Sequence, residues 1–149
     1  MPFKYPLLEN AFSTQDINSA IKVVKSRRLT MSKKTLEFEK KFSKFIKSKY
    51  CLMVNSGSSA NLLALASLNL KKGSEIITTT LTFSTTVAPI YQLGLMPHFI
   101  DVGKNTFVAN LDQIKKAINK KTKAIMIPNL LGNVPDWKKI FLLAKKKQT

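Results

Sequence analysis

From residue 51 onward, short runs rich in β-branched and apolar residues alternate with longer stretches whose apolar residues recur at helical spacing. That alternation restricts the chain to an α/β fold, βα units wound around a mostly parallel sheet. It predicts strands at 51–54, 75–79, 97–102 and 123–127, and helices at 59–68, 84–93, 111–119 and 136–146. The turn Lys71-Lys72-Gly73-Ser74 and the break at Gly94 supply the punctuation between them. Two amphipathic helices are predicted ahead of the alternation. One covers 15–27, entered through Ser13-Thr14, with Ile17, Ala20, Ile21 and Val24 on one face; the other covers 35–47, with Leu36, Phe38, Phe42, Phe45 and Ile46. There is no internal repeat and no low-complexity segment.

Composition narrows the class of function. A chain of 149 residues with 44% hydrophobic and 22% charged residues is long enough and apolar enough for one folded domain with a core. No apolar run approaches the roughly 18–20 residues needed to cross a bilayer, and the start MPFKYPLLEN lacks the apolar region and cleavage site of a signal peptide. Membrane association is not expected, and a cytoplasmic location is. A single cysteine excludes an intramolecular disulfide and a cysteine-based zinc cluster, and Cys51, on an expected apolar strand, reads as core. The net charge of +17 invites a nucleic-acid reading. Its distribution argues against one. Only Arg27 and Arg28 of the 25 basic residues are arginine, and the lysines fall as scattered pairs on polar helix positions and in turns. No aromatic RNA-binding motif, zinc finger or helix-turn-helix signature accompanies them.

Ligands of such sheets bind outside the carboxyl ends of the strands, where loops lead into helices. Four loops qualify: 55–59, 80–84, 103–110 and 128–133. The first contains Ser56-Gly57-Ser58-Ser59. Two readings of it stand side by side. It is a capped helix start, serine being a favoured N-cap, or an anion site made of unpartnered N–H groups at the positive end of a helix. The second places Phe83 at a loop-to-helix corner, as core or as a platform for a flat ring. No G-x-x-x-x-G-K-[ST] or G-x-G-x-x-G motif is present, which disfavours ATP and dinucleotides. A phosphorylated heteroaromatic such as pyridoxal phosphate suits both loops. Among the remaining polar residues, His98 reads as a satisfied strand residue, Asp101 as a strand end and Asp112 as a helix start. Asn129 and Asn133 read as turn stabilisers or ligand contacts.

Several ordered motifs then carry a resemblance. They are Asp16-Ile17, Leu29-Thr30, Phe38-Glu39, SGSSANLLAL at 56–65, Phe83 with TTVAP, GLMPHFIDV, and KTKAIMIPNLLGN ending at Asn133. Together they resemble the N-terminal part of the DegT-type, pyridoxal-phosphate-dependent sugar aminotransferase family. Within it the chain looks most similar to the CDP-6-deoxy-hexulose 3-dehydratase branch. Ser32 departs from the pattern, since glycine often stands there. The resemblance implies the N-terminal part of an aspartate-aminotransferase-like large domain with a mostly parallel sheet, truncated, with residues 1–149 as its first segment and part of its cofactor-binding domain.

It also implies roles. Gly57 and Ser58 match the pair that holds the cofactor phosphate through a backbone N–H and a hydroxyl, and Phe83 matches the aromatic residue stacked on the pyridine ring. Ser56 and Ser59 cap or line the same loop. The implied cofactor is pyridoxal 5′-phosphate or its pyridoxamine form. The implied substrate is a nucleotide-linked keto sugar destined for lipopolysaccharide, and the implied assembly of the full-length enzyme is a homodimer. The catalytic lysine or histidine and the acid that faces the pyridine nitrogen lie, in that family, beyond the strand expected after the last helix. None of the 23 lysines sits in the family's Schiff-base motif, so no catalytic residue and no metal ligand is assigned, and the chain alone is expected to be inactive. The competing class is a small non-enzymatic α/β domain that binds phosphate or a nucleotide.

Overall fold

The computed structural model describes residues 11–146, in two compact units, Met1–Met53 and Val54–Thr149. The MPFKYPLLEN segment and the chain end at 147–149 lie outside the described residues. The first unit holds helices α1 (Thr14–Lys25) and α2 (Lys33–Phe45). Ser13 and Asp16 form a reciprocal capping box at the start of α1: Ser13 Oγ accepts the Asp16 N–H at 3.2 Å, and Asp16 Oδ2 accepts the Ser13 N–H at 2.9 Å. On α2 the rings of Phe38 and Phe42, four residues apart, stack at 5.4 Å. Ser32, the departure from the family pattern, is the N-cap of α2 with extended φ and ψ of −109° and −168°, a conformation open to any residue. Serine therefore brings no backbone strain there. No residue of α1 or α2 is buried.

The second unit runs α3 (Gly57–Ala66), β1 (Glu75–Thr79), α4 (Ser84–Gln92), β2 (Met96–Ile100), α5 (Leu111–Ala117), β3 (Thr122–Ile125), a 3-10 turn (Leu130–Gly132) and α6 (Trp137–Lys146). The strands form one parallel sheet in the order β2-β1-β3. β1 is central, and four of its five residues are buried, as expected of a parallel strand covered on both faces. Alternation divides its side chains. Ile76 packs with Leu65, Ile90 and Leu95 on the α3–α4 side, while Ile77 packs with Ile100, Ile114, Ile127 and Ile140 on the α5–α6 side. The left-handed Gly73 and Gly94, at φ 78° and 68°, turn the chain where the sequence predicted breaks, and the Gly73 N–H donates to the Gly94 carbonyl at 2.8 Å. Among the described residues no helix is long and apolar enough to cross a membrane.

One predicted element is missing. Residues 51–54 form no strand, and Cys51 is half-buried rather than core. A strand exists only through its ladder with a neighbour, and no strand pairs with this segment among the described residues. Local apolar composition alone cannot supply that ladder.

At the amino end of the sheet, Glu75 Oε1 accepts three hydrogen bonds from three elements. His98 Nδ1 of β2 donates at 2.9 Å, Asn119 Nδ2 after α5 at 2.7 Å, and Thr122 Oγ1 of β3 at 3.1 Å. Because a carboxylate oxygen only accepts, the hydrogen resides on His98 Nδ1. Burial pushes the Glu75 carboxyl up, but the three donors and the His98 charge together outweigh it and hold the group below its ordinary 4.5. A depressed carboxylate adds stability that is complete above the unfolded value and vanishes as pH falls through the lower folded one. The urea midpoint should therefore fall with acidification below pH 4.5, and the Glu75→Gln variant should show a flatter decline in that window. An identical acid profile in both proteins would mean that the network contributes no ionic stabilisation.

Candidate cofactor site

The phosphate-like loop is a helix start, two residues earlier than its sequence pattern predicts. Ser56 is the N-cap of α3: its extended backbone enters the helix, its Oγ accepts the Ser59 N–H at 3.2 Å, and its carbonyl accepts the Ala60 N–H at 3.0 Å. Ser59 is thereby taken up by the cap, whereas Gly57 and Ser58 occupy the first turn, where backbone N–H groups have no intrahelical acceptor. Both residues are exposed, and no acidic side chain lies in that turn to compete with an anion. A Cβ built on Gly57 meets nothing within 4 Å, and its φ lies outside the left-handed region. The fold itself makes no demand for glycine at 57. The missing side chain leaves the first-turn amides open to close approach, which fits a bulky anion such as a phosphate group.

The second loop begins where β1 ends. Thr79 Oγ1 donates to the Leu81 carbonyl at 3.1 Å, and the Thr82 and Thr86 hydroxyls meet at 2.9 Å, which shapes the corner that presents Phe83. Phe83 sits at the N-cap position of α4 without a capping bond and is 72% exposed. Among the described residues Phe83 is therefore not packed in a core but stands exposed at the carboxyl end of the sheet. The starts of α3 and α4 lie side by side, joined by a hydrogen bond from Asn61 Nδ2 to the Thr85 carbonyl at 3.1 Å. A cleft of about 240 Å³ between the two helices is lined by Ser58, Leu62, Thr85, Pro89 and Gln92. Sequence reading singled out Ser58 and Phe83 but passed over Asn61 and Thr85, whose contact spans 24 positions.

The other polar residues fall into place as scaffold. Asp101 follows β2; its Oδ1 accepts the Val102 N–H at 2.8 Å and faces Thr80 Oγ1 at 3.5 Å, as a strand-end residue does. Asn110 caps α5 by accepting the Asp112 and Gln113 N–H groups, so Asp112 is a first-turn residue. Asn129 Oδ1 accepts the Trp137 indole N–H at 3.2 Å, and Asn133 Nδ2 donates to the Leu130 carbonyl at 3.0 Å. Both asparagines are engaged in holding the turn before α6. His98 belongs to the Glu75 network at the amino end of the sheet, opposite the candidate site. Among the described residues no group of three or more His, Cys, Asp or Glu side chains could hold a metal.

Comparison with known proteins places the chain in a family and a fold. The sequence profile of the DegT/DnrJ/EryC1/StrS aminotransferase family matches residues 10–149. The GDP-4-keto-6-deoxy-D-mannose 3-dehydratase of Yersinia pseudotuberculosis is 38% identical, over 96% of this chain and 38% of that protein. The lipopolysaccharide biosynthesis protein RfbH of Salmonella typhimurium is 43% identical over 73% of this chain and 27% of that protein. Among solved structures, the E. coli GDP-4-keto-6-deoxy-D-mannose-3-dehydratase with bound hydrated PLP superposes with a TM-score of 0.89 at 37% identity, over 95% of this chain and 38% of that one. The three-stranded parallel α/β arrangement is thus a portion of that fold. The chain spans 38% of the length of the Yersinia relative.

Proposed function

The chain belongs to the DegT/DnrJ/EryC1/StrS aminotransferase family, and from that premise we propose that it is the N-terminal part of a pyridoxal-phosphate-dependent enzyme acting on a nucleotide-linked keto-deoxy sugar. The observation that carries this reading is the open first turn of α3, with its unrequired glycine, beside an exposed Phe83. The Gly57 N–H and the Ser58 hydroxyl bind the phosphate, the positive end of the α3 dipole favours its charge, and the Phe83 ring covers one face of the pyridine. When bound, such a cofactor supplies the electron sink for breaking a carbon–hydrogen bond. Proton transfer and the contact to the ring nitrogen would fall to residues other than Gly57, Ser58 and Phe83, since a backbone amide, a serine hydroxyl and a phenyl ring are not proton-transfer groups near neutral pH.

The names of the Yersinia and E. coli relatives favour 3-dehydration over amino transfer. Both proteins carry GDP in their names, so the CDP preference suggested by the motifs is given up in favour of a nucleotide-linked 4-keto-6-deoxy sugar without a fixed base. The product enters surface polysaccharide, in keeping with the name of the Salmonella relative. Cytoplasmic location and homodimer assembly of the whole enzyme belong to the same proposal.

A titration tests the site directly. Pyridoxamine 5′-phosphate is the suitable probe, because it lacks the aldehyde that would react with surface lysines. The chain should bind it at least ten-fold more tightly than unphosphorylated pyridoxamine, with amide resonances of Gly57 and Ser58 moving most. Equal affinity for the two, or no binding of either, would return SGSS to the status of a helix cap.

A further inference from the structure

Helix α4 carries a proline in its interior, Pro89. Proline has no N–H, so the carbonyl four residues earlier loses its intrahelical donor, and the ring pushes that carbonyl away from the helix axis. The residue four positions before Pro89 is Thr85, which is half-buried. An unpartnered carbonyl there is unfavourable. The structure supplies a donor from another helix: Asn61 Nδ2 of α3 reaches the Thr85 carbonyl at 3.1 Å.

The positions of the two partners matter as much as the bond. Asn61 lies one helical turn after Gly57, on the same face of α3, and Thr85 lies two residues after Phe83. The bond therefore lies within one helical turn of both the proposed phosphate contact and the proposed ring contact. Deeper along the seam, α3 and α4 meet through Leu65 and Ile90 in an apolar cluster. Apolar packing resists separation but is non-directional; a hydrogen bond to a fixed carbonyl also fixes the slide of one helix along the other.

We propose that Pro89 and Asn61 form a latch, in which the proline frees the Thr85 carbonyl and Asn61, as a positioning residue, uses it to set the spacing between the Gly57–Ser58 turn and Phe83. The latch deepens the cofactor reading above and rests on it for its purpose. It also gives a physical reason for an asparagine within SGSSANLLAL and a proline closing TTVAP.

Three variants of the chain separate the latch from simple helix stability. Asn61→Ala leaves the Thr85 carbonyl without a partner, Pro89→Ala provides a backbone N–H within α4 that competes for it, and the double variant satisfies α4 while removing the tether. Amide hydrogen exchange is measured without cofactor. Asn61→Ala should speed exchange near the starts of both helices, at Ala60 and Ala88, by ten-fold or more. The double variant should restore Ala88 but not Ala60, and Pro89→Ala, which keeps a well-formed α4, should loosen Ala60. Affinity for pyridoxamine 5′-phosphate should fall at least ten-fold in Asn61→Ala and remain low in the double variant. A double variant that regains slow exchange at Ala60 together with wild-type affinity would overturn the latch, as would unchanged exchange in Asn61→Ala. If the wild-type chain binds no pyridoxamine 5′-phosphate, the cofactor reading fails, while the exchange pattern still decides whether the latch exists.

Discussion

The Ser58→Ala variant is expected to bind pyridoxamine 5′-phosphate ten-fold or more weakly than the wild-type chain while melting at the same temperature. Ser58 is exposed in the first turn of α3, and its hydroxyl has no role in the Ser56 cap. Its removal therefore takes nothing from the fold. A hydroxyl donating to a phosphate makes a charge-assisted hydrogen bond of about 1.5–3 kcal/mol, which is ten-fold to roughly a hundred-fold in affinity. Gly57→Ala sharpens the contrast. The added methyl meets no protein atom within 4 Å, and alanine in place of glycine in a helix stabilises by about 0.5–1 kcal/mol. That variant should melt at the same or a higher temperature and yet bind the cofactor more weakly, because the methyl occupies the path of the phosphate. Isothermal titration beside a thermal melt reads both quantities. Wild-type affinity in both variants would mean that the phosphate is held elsewhere or not at all.

Self-association that rises with salt is the second large effect expected. β3 pairs with β1 on one side only among the described residues. Beside it runs an apolar groove of about 210 Å³ lined by Ile118, Ile125, Trp137, Ile140, Phe141 and Ala144, and Phe141 is 64% exposed. An uncovered edge next to an apolar groove favours pairing between chains. The net charge of +17 opposes it. Which force wins is set by screening, since the Debye length shrinks from about 30 Å at 0.01 M to about 8 Å at 0.15 M salt. Sedimentation should show monomers at low ionic strength and larger species near 0.15 M, and Phe141→Lys should move that onset to higher salt. A monodisperse monomer across the whole range would show that the β3 edge and its groove are not sticky.

Much of the second unit was legible in the sequence because its information is local. Serine before an apolar helical run marks a helix start, and Ser56 caps α3 two residues ahead of the predicted start, as Ser13 caps α1 in the first unit. Glycines that need positive φ mark turns, and the short β-branched run at 75–79 marks a strand, which the structure buries on both faces. The corners at 55–59 and 80–84 could be picked out for the same reason, since loop-to-helix corners are written in consecutive residues, but the roles of Gly57, Ser58 and Phe83 came from the family resemblance and not from the local pattern. Residues 51–54 were misread because a strand depends on a neighbour that no local pattern names. The role of His98 as donor to Glu75 was likewise beyond a linear reading, since their contact spans 23 positions and depends on the register of β1 against β2.

By itself, then, the sequence determined the order and type of the elements from β1 to α6 and most of their turns, and it marked the loop-to-helix corners at 55–59 and 80–84 as candidates, all properties set by neighbours within about four residues. Only the tertiary structure decided that Phe83 is exposed, that Gly57 is not needed by the backbone, and that the carbonyl freed by Pro89 is taken by Asn61 on another helix. Exposure, open space and a donor from a distant segment are relations between surfaces, and they come into being only when the sheet brings its helices side by side.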